Sequence, residues 1–424
     1  MKDSARKTPR RQEATPQLAF AAMIDARATL HDAIVSAGMS VLSAMLEEER
    51  TKLCGPRYAH QTARAATRSG HVDGELALGG QRVRVRRPRV QATDGGGEVT
   101  LETWQRFAEA DPLTPRAVEQ MVLGVSTRKY VRSIEAAPPG SVARGTSKSA
   151  VSRRFVAATR EKLGDMMSRD LSKLSLCVIM IDGIHVAEHL VLMALGIDSF
   201  GEKHTIGIYE GATENTTSCV GLLSDLEGRG VATDRAMLFV IDGSKALAKA
   251  IRTKFGTRAL IQRCQVHKRR NVEDHLPKDM QRNAGRTISA AYQCRDAVRA
   301  RRMLVALARQ LERKHPSAAA SLREGLDETL TVMSLGLHER LARTLSTTNP
   351  IEFLNGRIRR TTHNVAKWDS GEMVMRWLAV SLIEASKTFR KLRGHKDMPK
   401  LVAALRAHDA KLKPVLVDAT EKAA

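Results

Sequence analysis

Two apolar runs in this chain end in the same dipeptide. "SLCVIMIDG" reaches Asp182-Gly183, and "AMLFVIDG" reaches Asp242-Gly243. Each run reads as a buried strand. An aspartate at the carboxyl end of such a strand sits at the rim of a sheet, where open α/β folds place their ligands. A single Asp-Gly is adequately explained as a strand-ending turn. Two of them, on strands that the fold makes adjacent, favour a site. A glycine after each acid lets the backbone turn sharply and lets a bulky phosphodiester approach.

The surrounding segments decide adjacency. "LCVIMID", "HLVLMALGID" and "HTIGIYEG" are three strand-like runs with short connections. "TTSCVGLLSDLEGRG" follows as an amphipathic helix closed by Gly230, then "MLFVID", the helix "GSKALAKAIRTKFG" and a fifth strand "ALIQRCQ". Three hairpin-like strands followed by strand-helix-strand is the order of a ribonuclease H-like α/β sheet, whose first and fourth strands are central neighbours. Asp182 and Asp242 then lie side by side. Two bare carboxylates repel, and one would hold a proton. A hard divalent cation removes the conflict, and carboxylate oxygens suit Mg2+ or Mn2+. A third acid is expected from a helix, and Glu352 in "TTNPIEFLNGRIRRTT" is the candidate. Asn349 reads as N-cap and Pro350 as the first helical residue, so Glu352 reads equally as half of a capping box. The spacings are 242 − 182 = 60 and 352 − 242 = 110. A helical block over 279–345 accounts for the longer interval as an all-α insertion whose two ends must return to the sheet together. Within it Arg295, Arg299 and Arg302 fall at helical spacing.

The formal net charge is +23 in 424 residues, with 4% aromatics. A chain this basic attracts polyanions, and double-stranded DNA is the expected partner. Five cysteines without a CxxC pair fit a reducing cytoplasm, with the protein on the nucleoid. Charges interrupt every long apolar stretch, so no membrane span is expected. Residues 1–16 read as a basic arm and about 17–53 as a helix. "ELALGGQRVRVRRPRV" is a hairpin about Gly79-Gly80. It puts Leu76, Leu78, Val83 and Val85 on one face and Arg82, Arg84 and Arg86 on the other. "QATDGGGEV" is read as a loop. Residues 114–163 look helical, with Thr114 as an N-cap and a Pro-Gly break at 138–140. A helix-turn-helix-like region would present Ser147, Lys148, Ser152, Arg153 and Arg154 to a groove. A solvated edge hairpin and an ordinary helical bundle explain these two basic surfaces as well. The expected divisions are 1–110 (helical and hairpin DNA-binding region), 111–172 (helix-turn-helix-like), 173–278 (first part of the core), 279–345 (insertion) and 346–424 (C-terminal helices of the core).

"MIDGIHVAEHLVLMALGID", "EGATEN", "LFVIDGSKALAKAI", "QRCQVHKRRNV" and "TTNPIEFLNGRIRR" together resemble the Mutator-type transposases of bacterial insertion sequences, within the DDE superfamily. The resemblance covers about residues 175–275 and 345–365 and implies Asp182, Asp242 and Glu352 as the acidic triad. It implies two Mg2+ or Mn2+ ions per site, with Asp182 bridging them, and end cleavage followed by strand transfer. A homodimer or larger oligomer on DNA is expected. Cys264 and His267 form half of a zinc pattern that has no second half, and are kept as auxiliary residues of the centre. Lys268, Arg269, Arg270, Arg357, Arg359 and Arg360 are expected at phosphates. His185 and His189, on a turn and strand, read as solvent or structural residues, and Trp368 and Trp377 as core. The competing readings are a catalytically inactive DNA-binding regulator with the same fold and a phosphoryl-transfer enzyme with a nucleophilic aspartate.

Overall fold

A computed structural model of the protein describes residues 16–59, 64–78, 80–109, 113–134, 144–211 and 215–412. The arm at 1–15, Gly79 of the hairpin turn, and the Pro-Gly break at 138–140 lie outside these residues. So do Ala212 to Glu214 of "EGATEN". The chain divides into two units: residues 1–121 with 125–155, and residues 122–124 with 156–424.

In the first unit, α1 (Pro16–Cys54) precedes a hairpin of β1 (Ala66–Leu78) and β2 (Gln81–Ala92). Leu76 stands opposite Val83 and Glu75 opposite Arg84. The strand period of two therefore sorts the side chains as the sequence predicts. Leu76, Val83 and Val85 are buried with Leu42, Leu46 and Leu101, while Arg82, Arg84 and Arg86 are exposed. The segment read as a loop is shorter than expected. Gln91 and Ala92 stay in β2, and β3 (Glu98–Val99) pairs with that strand through Val90–Val99 and Gln91–Glu98. Next, α2 (Glu102–Glu109) lays Trp104 so close over Gly74 that a Cβ there would collide with the ring. The Arg87 guanidinium lies 5.5 Å from the centre of the same ring. The helical reading of 114–163 is also corrected. α3 (Leu113–Val122) starts one residue before Thr114, a single 3-10 turn covers Tyr130–Ser133, and α4 (Lys148–Ser168) follows. The division between the units falls inside α4, after Phe155.

The second unit holds β4 (Leu176–Val186), β5 (His189–Asp198), β6 (Lys203–Gly211), β7 (Met237–Ile241) and β8 (Ala259–Arg263). Their order is β6-β5-β4-β7-β8. β4, β5 and β6 pair antiparallel, whereas β7 runs parallel to both β4 and β8. The first and fourth strands of this mixed sheet are thus neighbours, as the sequence requires. Alternate residues serve opposite layers. Ile179, Ile181 and Phe239 pack with α5 (Thr216–Gly228) and α6 (Lys245–Phe255). Val178, Met180, Leu238 and Val240 pack on the other side, with Ile351, Leu354, Leu378, Leu382 and Leu401 of the C-terminal helices.

After β8 come α7 (Gln265–Glu273), α8 (Lys278–Tyr292), α9 (Ala297–Glu312) and α10 (Pro316–Arg323). A 3-10 turn at Asp327–Leu330, α11 (Thr331–Ser334) and α12 (Glu339–Leu345) complete the helical stretch. Three long helices close the unit: α13 (Asn349–Thr362), α14 (Gly371–Ser386) and α15 (Met398–Leu412). The block from Val272 to Leu330 has an apolar core of its own, including Ile288, Leu304 and Leu322. Arg295 is not on its helix as expected: it precedes Asp296, the N-cap of α9, while Arg299 and Arg302 are exposed along α9.

Buried polar side chains join that block to β8. Gln262 donates to Thr329 O at 2.8 Å and accepts from Val332 N at 2.8 Å. Arg263 bonds Glu324 at 2.8 Å and also pairs with Glu328. Its guanidinium further donates to Gly243 O at 3.1 Å. Removing one partner of a buried ion pair leaves uncompensated charge. Arg263→Met is therefore expected to lower stability by about 3 kcal/mol, measured by urea denaturation against wild type.

Candidate active site

Strand pairing sets the site. Val178 pairs with Leu238 and Met180 with Val240, a constant offset of 238 − 178 = 60. Two residues further along, the same offset brings Asp182 level with Asp242. The alternation that sends Val178, Met180, Leu238 and Val240 to the α13 layer sends both aspartates to that side too. One expectation is corrected here. Asp182 does not end its strand: β4 runs on to Val186, because β5 continues to pair with it, Asp182 opposite Met193. Gly183 is thus extended strand, and its amide donates to Asp182 Oδ1 at 3.0 Å. Asp242 does follow the last residue of β7. Gly243 has φ +120°, a conformation that side chains disfavour. That turn lets Ser244 N donate to Asp242 Oδ1 at 3.0 Å, while Ser244 Oγ caps α6 through Leu247 N.

α13 lies over these strands and brings Glu352. The helix starts at Asn349, so the N-cap is Thr348 rather than Asn349, and its side chain makes no capping bond to the helix. The capping box expected of Glu352 does not form. Thr348 Oγ1 instead donates to Glu352 Oε1 at 2.5 Å. One turn on, Asn355 Nδ2 donates to Asp182 Oδ2 at 2.7 Å and ties the helix to the strand. Cys264 is the N-cap of α7, and His267 sits in that helix's first turn. His267 Nε2 is 3.8 Å from Glu352 Oε1. Donor atoms of Cys264, His267 and Glu352 all lie within 4.8 Å of one another.

The charges interact strongly. Burial, and then the charge of Asp242, push the Asp182 carboxyl up to about 6, with Glu352 adding to the shift. The hydrogen bond to Cys264 raises His267 to about 9, helped by the charges of Glu352 and Asp242. Burial works against ionisation of the Cys264 thiol, yet hydrogen bonds from His267 and Thr348 outweigh it and hold the thiol below its usual range. The carboxylates of Asp182 and Asp242 on adjacent strands offer hard oxygen donors of the kind a divalent cation takes, and Glu352 stands in a separate group of possible donors with Cys264 and His267.

The expected phosphate contacts divide. Arg270, Arg359 and Arg360 are exposed, as are Ser147, Lys148 and Arg153; Ser152 is half-buried. Lys268 is corrected: it is buried, and its ammonium donates to Ser321 O at 2.8 Å and Glu324 O at 2.6 Å. Arg269 reaches Ser289 at 3.2 Å, Arg357 bonds Thr388 at 2.6 Å, and Arg154 turns back onto Gly145 O. Arg82 lies 4.0 Å from Glu75. His185 is exposed and His189 pairs with Glu210 at 2.6 Å, which suits the non-metal reading of both. Trp368 and Trp377 meet edge to face at 6.4 Å; Trp377 is buried and Trp368 packs partly buried against the core layer. Sequence reasoning missed Asn355 and Thr348. Asn355 had a signal, since it lies three residues from Glu352 on one helix and shares its face.

A family model described as "Transposase, Mutator family" matches residues 11–391. The chain is 27% identical over 372 residues to the transposase for insertion sequence element ISRM5 of Rhizobium meliloti (strain 1021), covering 85% of this chain and 90% of the relative. It is 28% identical over 338 residues to the transposase for insertion sequence element IS256 in transposon Tn4001 of Staphylococcus aureus, covering 76% of this chain and 82% of that one.

The raised Asp182 gives a stability test. The folded-state value lies above the ordinary aspartate value of about 3.9, so the group costs nothing while protonated in both states. Its cost grows as pH rises toward about 6 and persists above it. Without divalent cations, Asp182→Asn should gain on wild type by up to about 3 kcal/mol between about pH 4 and pH 7. Thermal denaturation across that range reads the gap.

Proposed function

The chain belongs to the Mutator family of transposases, and from that premise we propose that it binds the ends of an insertion sequence and cleaves and joins DNA strands at Asp182, Asp242 and Glu352. The observation that supports this reading is the parallel register that brings Asp182 level with Asp242, with α13 tied to Asp182 through Asn355 and the charges of Asp242 and Glu352 both felt at the Asp182 carboxyl. On this reading the β6-β5-β4-β7-β8 sheet is a ribonuclease H-like core, and the helical stretch over 279–345 is an insertion into it.

Bound Mg2+ or Mn2+, two ions per site, would supply charge neutralisation at the scissile phosphate and activation of the attacking oxygen. The protein's part is positional. Asp182 and Asp242 hold their level through the parallel register, and Asn355 and Ser244 orient one oxygen of each. Each such oxygen keeps a lone pair for a further partner. Hydrolysis of the phosphodiester leaves a 3′-hydroxyl on the element end. That hydroxyl then attacks a target phosphodiester in line, and the target's 3′-oxygen leaves. Each step breaks and makes one P–O bond, and neither requires a covalent bond to the enzyme.

DNA contact is assigned to the exposed arginines of β2, to Ser147, Lys148, Ser152 and Arg153 around the start of α4, and to Arg270, Arg359 and Arg360. The expected setting is the cytoplasm on the nucleoid, with the protein acting as a dimer or larger assembly. No described helix is long and apolar enough to cross a membrane. A DNA-binding regulator without catalysis gains nothing from a buried carboxyl set beside two other acids, so the catalytic reading is preferred.

Asp182→Ala, Asp242→Ala and Glu352→Gln are each expected to abolish cleavage of the element's own end DNA in Mg2+ while binding that DNA nearly as wild type. Wild-type-like cleavage by Glu352→Gln would remove Glu352 from the triad. Binding by the full chain should weaken steeply with salt, through release of counterions from several phosphates. A flat dependence in a filter-binding titration would refute the basic surfaces as the DNA contact.

A further inference from the structure

Thr348 is fully buried between α12 and α13, and each of its polar groups is engaged. Its amide donates to Cys264 Sγ at 3.5 Å, and its carbonyl accepts from Ile351 N at 3.0 Å and Glu352 N at 2.9 Å. Its hydroxyl donates to Glu352 Oε1 at 2.5 Å and lies 3.4 Å from His267 Nδ1. A hydroxyl has one proton. With that proton given to Glu352, the imidazole must be the donor in the second contact. Such a hydroxyl at a helix start normally accepts from an amide of the first turn. Here Pro350 has no amide, and the Ile351 amide is taken by the Thr348 carbonyl. The hydroxyl is thereby released from capping and turned onto the glutamate.

We propose that Thr348 is the positioning residue of Glu352, held in turn by Cys264 and His267, so that one glutamate oxygen is fixed and the other is aimed at the Asp182–Asp242 pair. This rests on the reading of Glu352 as the third metal ligand. It gives the Cys264–His267 pair a task without a zinc ion: α7 is the anchor, Thr348 the link, and Glu352 the part that is held. A free glutamate side chain samples many rotamers, and freezing it beforehand removes that cost from metal binding.

The test uses the full chain with Thr348→Val, which keeps the shape and removes the hydroxyl, and Thr348→Ser, which keeps the hydroxyl. Free Mn2+ is followed by electron paramagnetic resonance without DNA, and thermal midpoints are recorded alongside. The valine variant is expected to bind Mn2+ about tenfold to a hundredfold more weakly, with serine restoring most of the loss. Half-maximal cleavage should need correspondingly more Mg2+, while binding of end DNA in EDTA is unchanged. Wild-type Mn2+ affinity in the valine variant, or equal losses in valine and serine, would overturn the inference. Glu352→Gln is the control. If it leaves Mn2+ affinity unchanged, the assignment of Glu352 as a ligand falls first, and the role of Thr348 with it.

Discussion

The short parallel ladder between β4 and β7 is the constraint on which the site depends. Three consecutive residues, Val178 to Met180, pair with Leu238 to Val240, and all six are completely buried. A slip of one residue would turn every apolar side chain to the opposite layer. The register is therefore fixed by the core and not by the acids. That matters because the acids oppose it. Burial, and then the charges of Asp242 and Glu352, disfavour ionisation of the Asp182 carboxyl. Packing elsewhere holds together groups that would separate if free, as is common where a protein sets up chemistry at some cost in stability.

The helical block enters this arrangement through β8. Arg263 bonds the block at Glu324 and Glu328 and, on its other side, the carbonyl of Gly243 next to Asp242. The same guanidinium thus fastens the block and steadies the turn that carries one acid. A Cβ at Gly325 would come within 2.5 Å of that guanidinium, so the block's backbone must pass there as glycine. The 110-residue interval between the second and third acids is spanned by a unit with its own core, joined to the sheet by specific polar contacts.

Much of this could be read from the sequence, because local pattern and spacing determine it. Unbroken apolar runs gave the strands, short connections gave the hairpins, and the alternation of Val83 and Val85 with Arg82, Arg84 and Arg86 gave the faces of β2. What escaped depended on distant partners. Asn355 and Asp182 lie 173 residues apart, and no local pattern joins them. Lys268 was misread because a Lys-Arg-Arg run looks uniformly exposed. On a helix, however, successive residues point about 100° apart, and one of the three must turn toward α10. The end of β4 was misplaced because Asp-Gly signals a turn, whereas the pairing of β5 carries the strand through it. The N-cap of α13 is Thr348, one residue before the expected Asn349, and that residue decides whether its hydroxyl caps or donates.

The contacts between β8 and the block have a further consequence, for assembly. β8 is the last strand of its sheet, and an exposed edge is a template on which another chain can add a strand. Here Thr331 Oγ1 takes Ile261 O at 2.6 Å, Gln262 takes Arg263 O at 2.7 Å, and the turn at 329–332 lies along the strand. Two carbonyls of the strand, those of Ile261 and Arg263, are thus occupied from within the chain. A strand from a second copy would have to displace both contacts to pair here, so the grip of the helical block on β8 also guards the margin of the sheet.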